Sequence, residues 1–138
     1  MEDFRIHDRL TADCHRLGRL ERCHLLLHRN AVLPWFILVP ETQTVDVLDL
    51  PRDYRDEVIE EAALVSGFIK SSLGFPRVNF GAIGNLVPQL HLHVIGRRSG
   101  DACWPLPVWG HLEENVEYSE ADISGIRTRL VESLRLNS

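Results

Sequence analysis

Two imidazoles and one amide alternate with leucines in the segment Gln89-Leu90-His91-Leu92-His93. In an extended chain successive side chains point to opposite faces, so the polar three would share one face at intervals of ~7 Å. An imidazole titrates near neutral pH, so one ring can attack as a free base while its neighbour carries a proton. Attack on phosphorus needs one bare ring nitrogen, with the other N–H held by an acceptor. The spacing therefore favours covalent catalysis on a phosphoryl group.

Two other interpretations of these residues remain open. The histidines can lie by chance on a solvent-facing strand, because alternation alone does not distinguish a site from a polar face. Alternatively, His-x-His on a strand can present two imidazoles to zinc, which needs a third protein ligand. His28, His111 or a carboxylate can supply that ligand, although none lies at a recognisable spacing. We therefore predict no metal and no other cofactor.

Composition limits the class of protein and of partner. The 138 residues have room for one core of ordinary size, and 44% hydrophobic with 25% charged residues is typical of a soluble globular protein. The net charge is −5 and no basic run exceeds Arg97-Arg98, which argues against a nucleic-acid polymer but not against a single nucleotide. No apolar run approaches the ~20 residues that span a bilayer, so no membrane partner is expected.

The cysteines and the N-terminal residues indicate the compartment. Cys14, Cys23 and Cys103 cannot all pair within one chain, and free thiols are typical of a reducing environment. The cysteines also lack the close pairing of zinc knuckles. The first residues show neither the basic start nor the apolar core of a signal peptide. We expect a cytoplasmic protein.

Hydrophobic runs predict the strands that would position the histidines. Residues 25–27 and 35–39 flank a polar break and predict two neighbouring buried strands. Strands are also predicted over 77–83 and 90–97, paired as an antiparallel hairpin around Gly84-Asn85. The first 15 residues predict a short helix with Phe4, Ile6 and Leu10 on its apolar side.

Two longer helices are predicted by apolar residues at helical spacing. The first has Asp49 as its N-cap, runs to residue 72 and stops before Gly74. The second follows Ser119, which forms a capping-box pattern with Asp122. Its apolar positions are Ile123, Ile126, Leu130 and Leu134. Strands in two blocks around a long helix predict an α+β fold with a largely antiparallel sheet.

The histidine segment resembles the signature of the histidine triad (HIT) family, His-φ-His-φ-His-φ-φ, in which φ is apolar. Two stretches match a bacterial branch of that family in the same order, Asn30-Ala31-x-x-Pro34-Trp35-x-Ile37-Leu38-Val39-Pro40 and Asn79-x5-Asn85-x-Val87-Pro88-Gln89-Leu90-His91. The resemblance covers about residues 22–104. It implies a single HIT-like domain over 1–138, an α+β fold whose largely antiparallel five-stranded sheet is accompanied by one long helix and a C-terminal helix. It also implies a homodimer whose sheets join.

The resemblance implies roles for individual residues. His91, in the place of the middle histidine, is implied to be the nucleophile, and His93 to hydrogen-bond near the phosphate. Asn85 is implied to contact the phosphates and Asn79 to lie near the ribose and phosphate. Asn30 lies where the family has an acidic residue that binds the ribose hydroxyls.

Three further residues bear on the same site. Arg97 is a candidate phosphate ligand, because a guanidinium can bind phosphate oxygens bidentately. Gln89 stands where the family has its first histidine, and an amide can donate to a phosphate or orient a neighbour but cannot act as an acid or base. Leu86 replaces a serine that can assist the leaving group. Both departures predict a slow enzyme, or a substrate whose leaving group is already good.

These residues support three functions. The first is a nucleotide hydrolase or transferase that cleaves a nucleoside (di)polyphosphate or phosphoramidate at the α-phosphorus through a nucleotidyl-His91 intermediate. The second is a non-catalytic nucleotide-binding module, which the changes at Gln89 and Leu86 favour. The third is a metal-dependent hydrolase that uses His91 and His93.

Overall fold

The computed structural model describes residues 3–137. Its strands are β1 (Cys14–Arg19), β2 (Cys23–His28), β3 (Trp35–Pro40), β4 (Arg77–Gly81) and β5 (Leu92–Arg97). They form one antiparallel sheet in the order β1-β2-β3-β5-β4. The helices are α1 (Asp8–Asp13), α2 (Arg52–Ser71) and α3 (Glu120–Leu134), with a 3₁₀ turn at Val47–Asp49. The predicted α+β fold, with a five-stranded sheet, a long helix and a C-terminal helix, is confirmed.

The sheet separates two apolar clusters, because alternate side chains of each strand point to opposite faces. One face packs against α2 and α3 and includes Leu25, Leu27, Phe36, Leu38, Leu92 and Val94. The opposite face carries Leu26, Trp35, Ile37, Val39 and Ile95, which pack with Leu10 of α1 and Cys103 of the segment after β5. Burial on both faces explains why the central strands are nearly continuous apolar runs.

The long helix begins two residues later than an N-cap at Asp49 would place it. Asp49 lies in the 3₁₀ turn, and Pro51 is the N-cap residue of α2, so the predicted cap at Asp49 is wrong. Proline suits this position because it has a fixed φ and no N–H to leave unpaired. At the other end α2 stops at Ser71, and Gly74 turns the chain away with a φ of 77°. The predicted helix length and stop are therefore close to those observed.

The N-terminal region differs most from the predicted elements. α1 has only six residues, and Cys14 already begins the edge strand β1. A β-bulge between Arg16 and Gly18 interrupts the alternation of this strand, which explains why its sequence pattern is weak. Met1 and Glu2 of the predicted helix lie outside the described residues.

The predicted hairpin of β4 and β5 and the predicted C-terminal helix are both present. β5 begins at Leu92, two residues later than predicted, so Gln89 and His91 lie in the connection before the strand. Pro88 in that connection has no N–H to donate to a ladder. α3 begins with the predicted capping box between Ser119 and Asp122. Among the described residues, no helix combines the length and apolar character that crossing a bilayer would require.

Candidate active site

His91 and His93 lie side by side on the sheet face opposite α2. Their ring centroids are 5.0 Å apart, with the ring planes at 67°. Each residue is 7% exposed, and both line a cavity of about 490 Å³, here called the triad cavity. Leu90 and Leu92 point to the other face and pack in the cluster under α2. The structure therefore brings the two histidines together as the alternation of the sequence predicts.

The backbone beside His91 determines which of its ring nitrogens carries the proton in the neutral form. Its Nδ1 lies 2.8 Å from the carbonyl oxygen of Gln89. A carbonyl can only accept, so Nδ1 carries the proton and donates it. In the neutral ring Nε2 then has a free lone pair. This is the arrangement that attack on phosphorus requires.

The ring of His93 is held in the other neutral tautomer. The indole N–H of Trp35 donates to Nδ1 of His93 at 2.9 Å, and an indole can only donate. The proton of the neutral His93 ring is therefore on Nε2. Burial, together with the neighbouring imidazoles of His91 and His28, lowers the pKa of His93 to about 3. His93 is consequently a neutral N–H donor at physiological pH.

Aromatic side chains form one side of the triad cavity. The ring of His28 stacks on Trp35, with centroids 4.2 Å apart and planes at 12°, and Trp109 meets His93 edge-on at 5.3 Å. Burial lowers the pKa of His28, although the charge of Asp13 opposes this change. This wall is flat, apolar and mostly uncharged, which suits a nucleobase.

The loop between β4 and β5 lies between two recesses that both reach His91. Asn85 is exposed and lines the triad cavity and a second cavity of about 420 Å³, which also includes Asp46 and Asp49. Gly84 permits the turn with a φ of 62°. Leu86 is 79% exposed at the edge of the triad cavity. Asn85 therefore lies where its amide can reach a group bound at His91.

Asn30 is not available to a nucleotide in this structure. Its Oδ1 accepts from the N–H groups of Val32 and Val116, and its Nδ2 donates to the carbonyl of Glu114 at 2.7 Å. Asn30 is 9% exposed and does not line the triad cavity. It instead joins the loop after β2 to the segment before α3. The ribose contact of Asn30 stays a prediction, and the structure does not bring this side chain to the triad cavity.

Arg97 and Asn79 form a separate buried cluster. The guanidinium of Arg97 donates to both carboxylate oxygens of Asp101, at 2.7 and 3.0 Å, and to Oδ1 of Asn79 at 2.9 Å. Arg97 is 1% exposed, and neither Arg97 nor Asn79 lines either cavity beside His91. The phosphate contact of Arg97 stays a prediction, and in this structure the guanidinium instead joins the segment after β5 to β4. Asn79 is likewise not brought to the triad cavity.

Gln89 is also turned away from the two histidine rings. Its side-chain amide bonds to the backbone of the N-terminal segment, at Arg5 and His7. Only the backbone carbonyl of Gln89 contacts the site, through His91. Gln89 and His91 both precede β5, and the Gln89 amide is engaged by the N-terminal segment and not by the histidine rings.

Few of the groups that surround the histidines are apparent from the sequence. Trp35 lies in a run that predicts a strand, and a buried indole usually finds an acceptor for its N–H, which is the signal that points to its role. Trp109 and the α1 residues Arg9, Leu10 and Asp13 also line the cavity without a local sequence signal. Within residues 3–137, no three His, Cys, Asp or Glu side chains gather in a way that could hold a metal ion.

Comparison with known proteins agrees with this geometry. A family model described as HIT domain matches residues 9–100. A histidine triad protein from Marinobacter aquaeolei VT8 is 37% identical, with a TM-score of 0.89 and 96% of each chain covered. Another from Sinorhizobium meliloti 1021 is 36% identical, with a TM-score of 0.89 over 95% of this chain and 97% of that one. One from Bradyrhizobium japonicum is 33% identical, with a TM-score of 0.88 over 95% and 98%. No curated protein matches the chain.

Proposed function

Since this chain belongs to the histidine triad family, we propose that it cleaves a nucleoside (di)polyphosphate or nucleoside phosphoramidate at the α-phosphorus. The observation that carries this proposal is the fixed ring of His91, whose Nδ1–H donates to the Gln89 carbonyl at 2.8 Å. Its Nε2 attacks phosphorus, so that an N–P bond forms while the bond from phosphorus to the leaving group breaks. Water or another acceptor then attacks the same phosphorus and restores the ring.

The neighbouring groups stabilise charge in this reaction. The Nε2–H of His93 can donate to a phosphoryl oxygen, and Asn85 lines the same cavity. The ring of His91 becomes positive when the N–P bond forms, and the Gln89 carbonyl stabilises that charge. Such preorganised dipoles act strongly in a site where little water enters. The proposal therefore assigns catalysis to His91 and His93 and phosphate binding to Asn85.

The leaving group receives little help from this chain. The Gln89 amide bonds to the N-terminal segment and the exposed side chain at position 86 is a leucine. His93, with a pKa of about 3, carries no second proton to give at neutral pH. We therefore propose that the substrate has a leaving group that departs with little assistance, such as a nucleotide or pyrophosphate, or that turnover is slow.

The same membership leads us to propose a homodimer in the cytoplasm. β4 is an edge strand, and Phe80 on it is 49% exposed. An uncovered strand edge with an exposed aromatic side chain can pair with a second copy of the sheet. The three cysteines are free and buried, which fits a reducing compartment.

A second candidate is a nucleotide-binding module without turnover. It is favoured by the engagement of the Gln89 amide with the N-terminal segment, which leaves no acid or base at the first triad position. Under this alternative the aromatic wall and Asn85 would still bind a nucleotide. The two candidates differ only in whether His91 reacts.

Turnover of a fluorogenic adenosine phosphoramidate by wild type and His91→Ala tests the proposal. We expect His91→Ala to abolish turnover, and rapid acid-free quenching with mass spectrometry to find a nucleotidyl adduct on His91 in the wild type. His111→Ala is the matched control, because His111 is an exposed histidine outside both cavities. Equal rates for wild type and His91→Ala would refute the proposal, whereas AMP binding without turnover would select the binding module.

A further inference from the structure

The side chain of Gln89 is a two-sided clasp on the N-terminal segment. Its Oε1 accepts from the backbone N–H of His7 at 2.8 Å, and its Nε2 donates to the backbone carbonyl of Arg5 at 2.9 Å. One planar amide thus satisfies a donor and an acceptor two residues apart, as a neighbouring strand would. Because both partners are backbone groups, the contact fixes the path of the segment and not particular side chains.

The clasped residue His7 is also the residue that starts α1. Its Nδ1 accepts from the N–H of Arg9 at 3.1 Å, and its carbonyl accepts from the N–H of Thr11 at 3.1 Å. A helix of six residues has too few hydrogen bonds to persist alone in water. The position of α1 therefore depends on contacts from outside the helix, and Gln89 supplies two of them.

A second contact holds the same segment from another direction. The ring of Phe4 stacks on His24, with centroids 5.3 Å apart and planes at 9°. His24 is in turn held by Glu41, whose Oε1 lies 2.9 Å from His24 Nε2. Phe4 and Gln89 thus hold the same segment through different contacts, a ring stack and a pair of amide hydrogen bonds. A variant at either residue therefore tests whether the position of the segment matters.

α1 forms part of the wall of the triad cavity, to which the loop carrying Asn85 also contributes. Arg9, Leu10 and Asp13 line the cavity together with His91 and His93. Leu10 is 4% exposed, whereas the side chains of Arg9 and Asp13 are 59% and 55% exposed and only loosely paired at 3.9 Å. The wall therefore offers an apolar surface, an exposed cation and an exposed carboxylate to a ligand. These groups match the base, phosphate and hydroxyl groups of a nucleotide.

We propose that Gln89 is a positioning residue for nucleotide binding, which acts by clasping the N-terminal segment so that α1 closes the cavity beside His91. This inference rests on the proposed function of that site. Gln89 acts on the affinity for the nucleotide and not on proton transfer, because its amide neither titrates nor faces the reacting atoms. Position 89, where the family has its first histidine, thus has a structural role in this chain that an amide can fill.

The experiment compares Gln89→Ala with wild type in the phosphoramidate assay and in calorimetric titration with AMP. Loss of two partly exposed hydrogen bonds should raise KM and the AMP Kd roughly 5- to 30-fold, with kcat within about twofold. The pH profile of kcat should not change. Hydrogen exchange of the Thr11 amide should become faster. Gln43→Ala is the matched control, because Gln43 is an exposed glutamine that lines the same surface recess as Gln89.

Two further variants separate positioning from a general loss of stability. Gln89→Glu keeps the acceptor for His7 but places a carboxylate oxygen against the Arg5 carbonyl, and this repulsion should raise KM at least as much as Gln89→Ala does. Phe4→Ala should raise KM in the same way, and the double variant Phe4→Ala/Gln89→Ala should show less than the product of the two single effects. A lower kcat at unchanged KM, a shifted pH profile, or independent effects of Phe4 and Gln89 would overturn the proposal.

These experiments distinguish a failure of the clasp proposal from a failure of the proposed function. If wild type does not turn over the substrate but binds AMP, the AMP Kd of Gln89→Ala still decides the role of the clasp. If His91→Ala abolishes turnover while Gln89→Ala leaves KM unchanged, the function stands and the clasp proposal falls. If wild type does not bind AMP, the assignment of α1 as a nucleotide wall is wrong.

Discussion

The indole N–H of Trp35 donates a 2.9 Å hydrogen bond to Nδ1 of His93 across the neighbouring strands β3 and β5. The adjacent His91 instead donates from its own Nδ1 to the Gln89 carbonyl. The proton of the neutral His91 ring is therefore on Nδ1, which donates to a carbonyl. The proton of the neutral His93 ring is on Nε2, because its Nδ1 accepts from the indole. In their neutral forms the two rings, which line one cavity, therefore offer a bare nitrogen on His91 and an N–H on His93.

Trp35→Phe should lower kcat/KM roughly tenfold while leaving the fold intact. Phenylalanine keeps the stacking surface for His28 but removes the donor, so Nδ1 of His93 loses its partner and the ring can adopt either neutral form. A buried acceptor without a partner costs about 1–3 kcal/mol, so the free energy of unfolding should fall by a similar amount. ¹⁵N NMR of His93 should show a mixture of tautomers in the variant and one tautomer in wild type. A single tautomer in both proteins would contradict this role of Trp35.

The stability of the protein should depend on His93 in mildly acidic solution. Burial lowers the pKa of His93 from 6.5 to about 3, so between these values the unfolded chain binds a proton that the folded chain does not. This contribution to stability is fully present above pH 6.5 and is lost as the pH falls towards 3. His93→Gln removes it, so the difference between wild type and variant should shrink by on the order of 2–3 kcal/mol from pH 7 to pH 4. Denaturant unfolding at each pH measures this difference in the free energy of unfolding. If the free energies of wild type and variant changed in parallel with pH, the folded protein would not hold His93 buried in its neutral form.

Local patterns in the sequence predicted the main elements that carry the site. The alternation around His91 and His93 and the helical spacing before Gly74 both depend on residues within one element, so they can be read without tertiary information. β1 escaped prediction because its alternation is broken by the bulge near Gly18. The later start of β5 likewise depends on Pro88 and on the connection in front of it.

The uses of individual polar side chains could not be predicted in the same way. Asn30 bonds to Glu114, 84 positions away, and Gln89 bonds to Arg5 and His7 at similar separations. Such contacts leave no periodic signal, because they depend on how distant segments meet in three dimensions. Family resemblance assigns roles to positions, but it does not tell whether the side chain at a position has already been engaged by the chain itself.

Asn30→Ala should destabilise the protein without weakening nucleotide binding. The variant loses three hydrogen bonds that join the loop after β2 to the segment before α3, and it leaves the N–H groups of Val32 and Val116 without that acceptor. A loss of about 2–3 kcal/mol in the free energy of unfolding is expected. The AMP Kd should stay within about twofold below the unfolding transition, because Asn30 does not line the cavity. A tenfold weaker Kd at unchanged stability would restore Asn30 as a ribose contact.

Arg97→Met should be among the most destabilising changes in the chain and should leave the turnover of the folded protein unchanged. Burial alone would raise the pKa of Asp101, but the hydrogen bond and charge of Arg97, together with the backbone N–H groups of Arg98 and Cys103, outweigh it and lower that pKa. Without Arg97 the carboxylate, whose side chain is 4% exposed, is left buried without its partner, at a cost of about 3–5 kcal/mol. Arg98→Met is the matched control, since that exposed arginine lies over the ring of Phe75 and should contribute less than about 1 kcal/mol. Denaturant unfolding and the phosphoramidate assay decide the outcome: a stable Arg97→Met protein with a raised KM would place the guanidinium on the substrate phosphate after all.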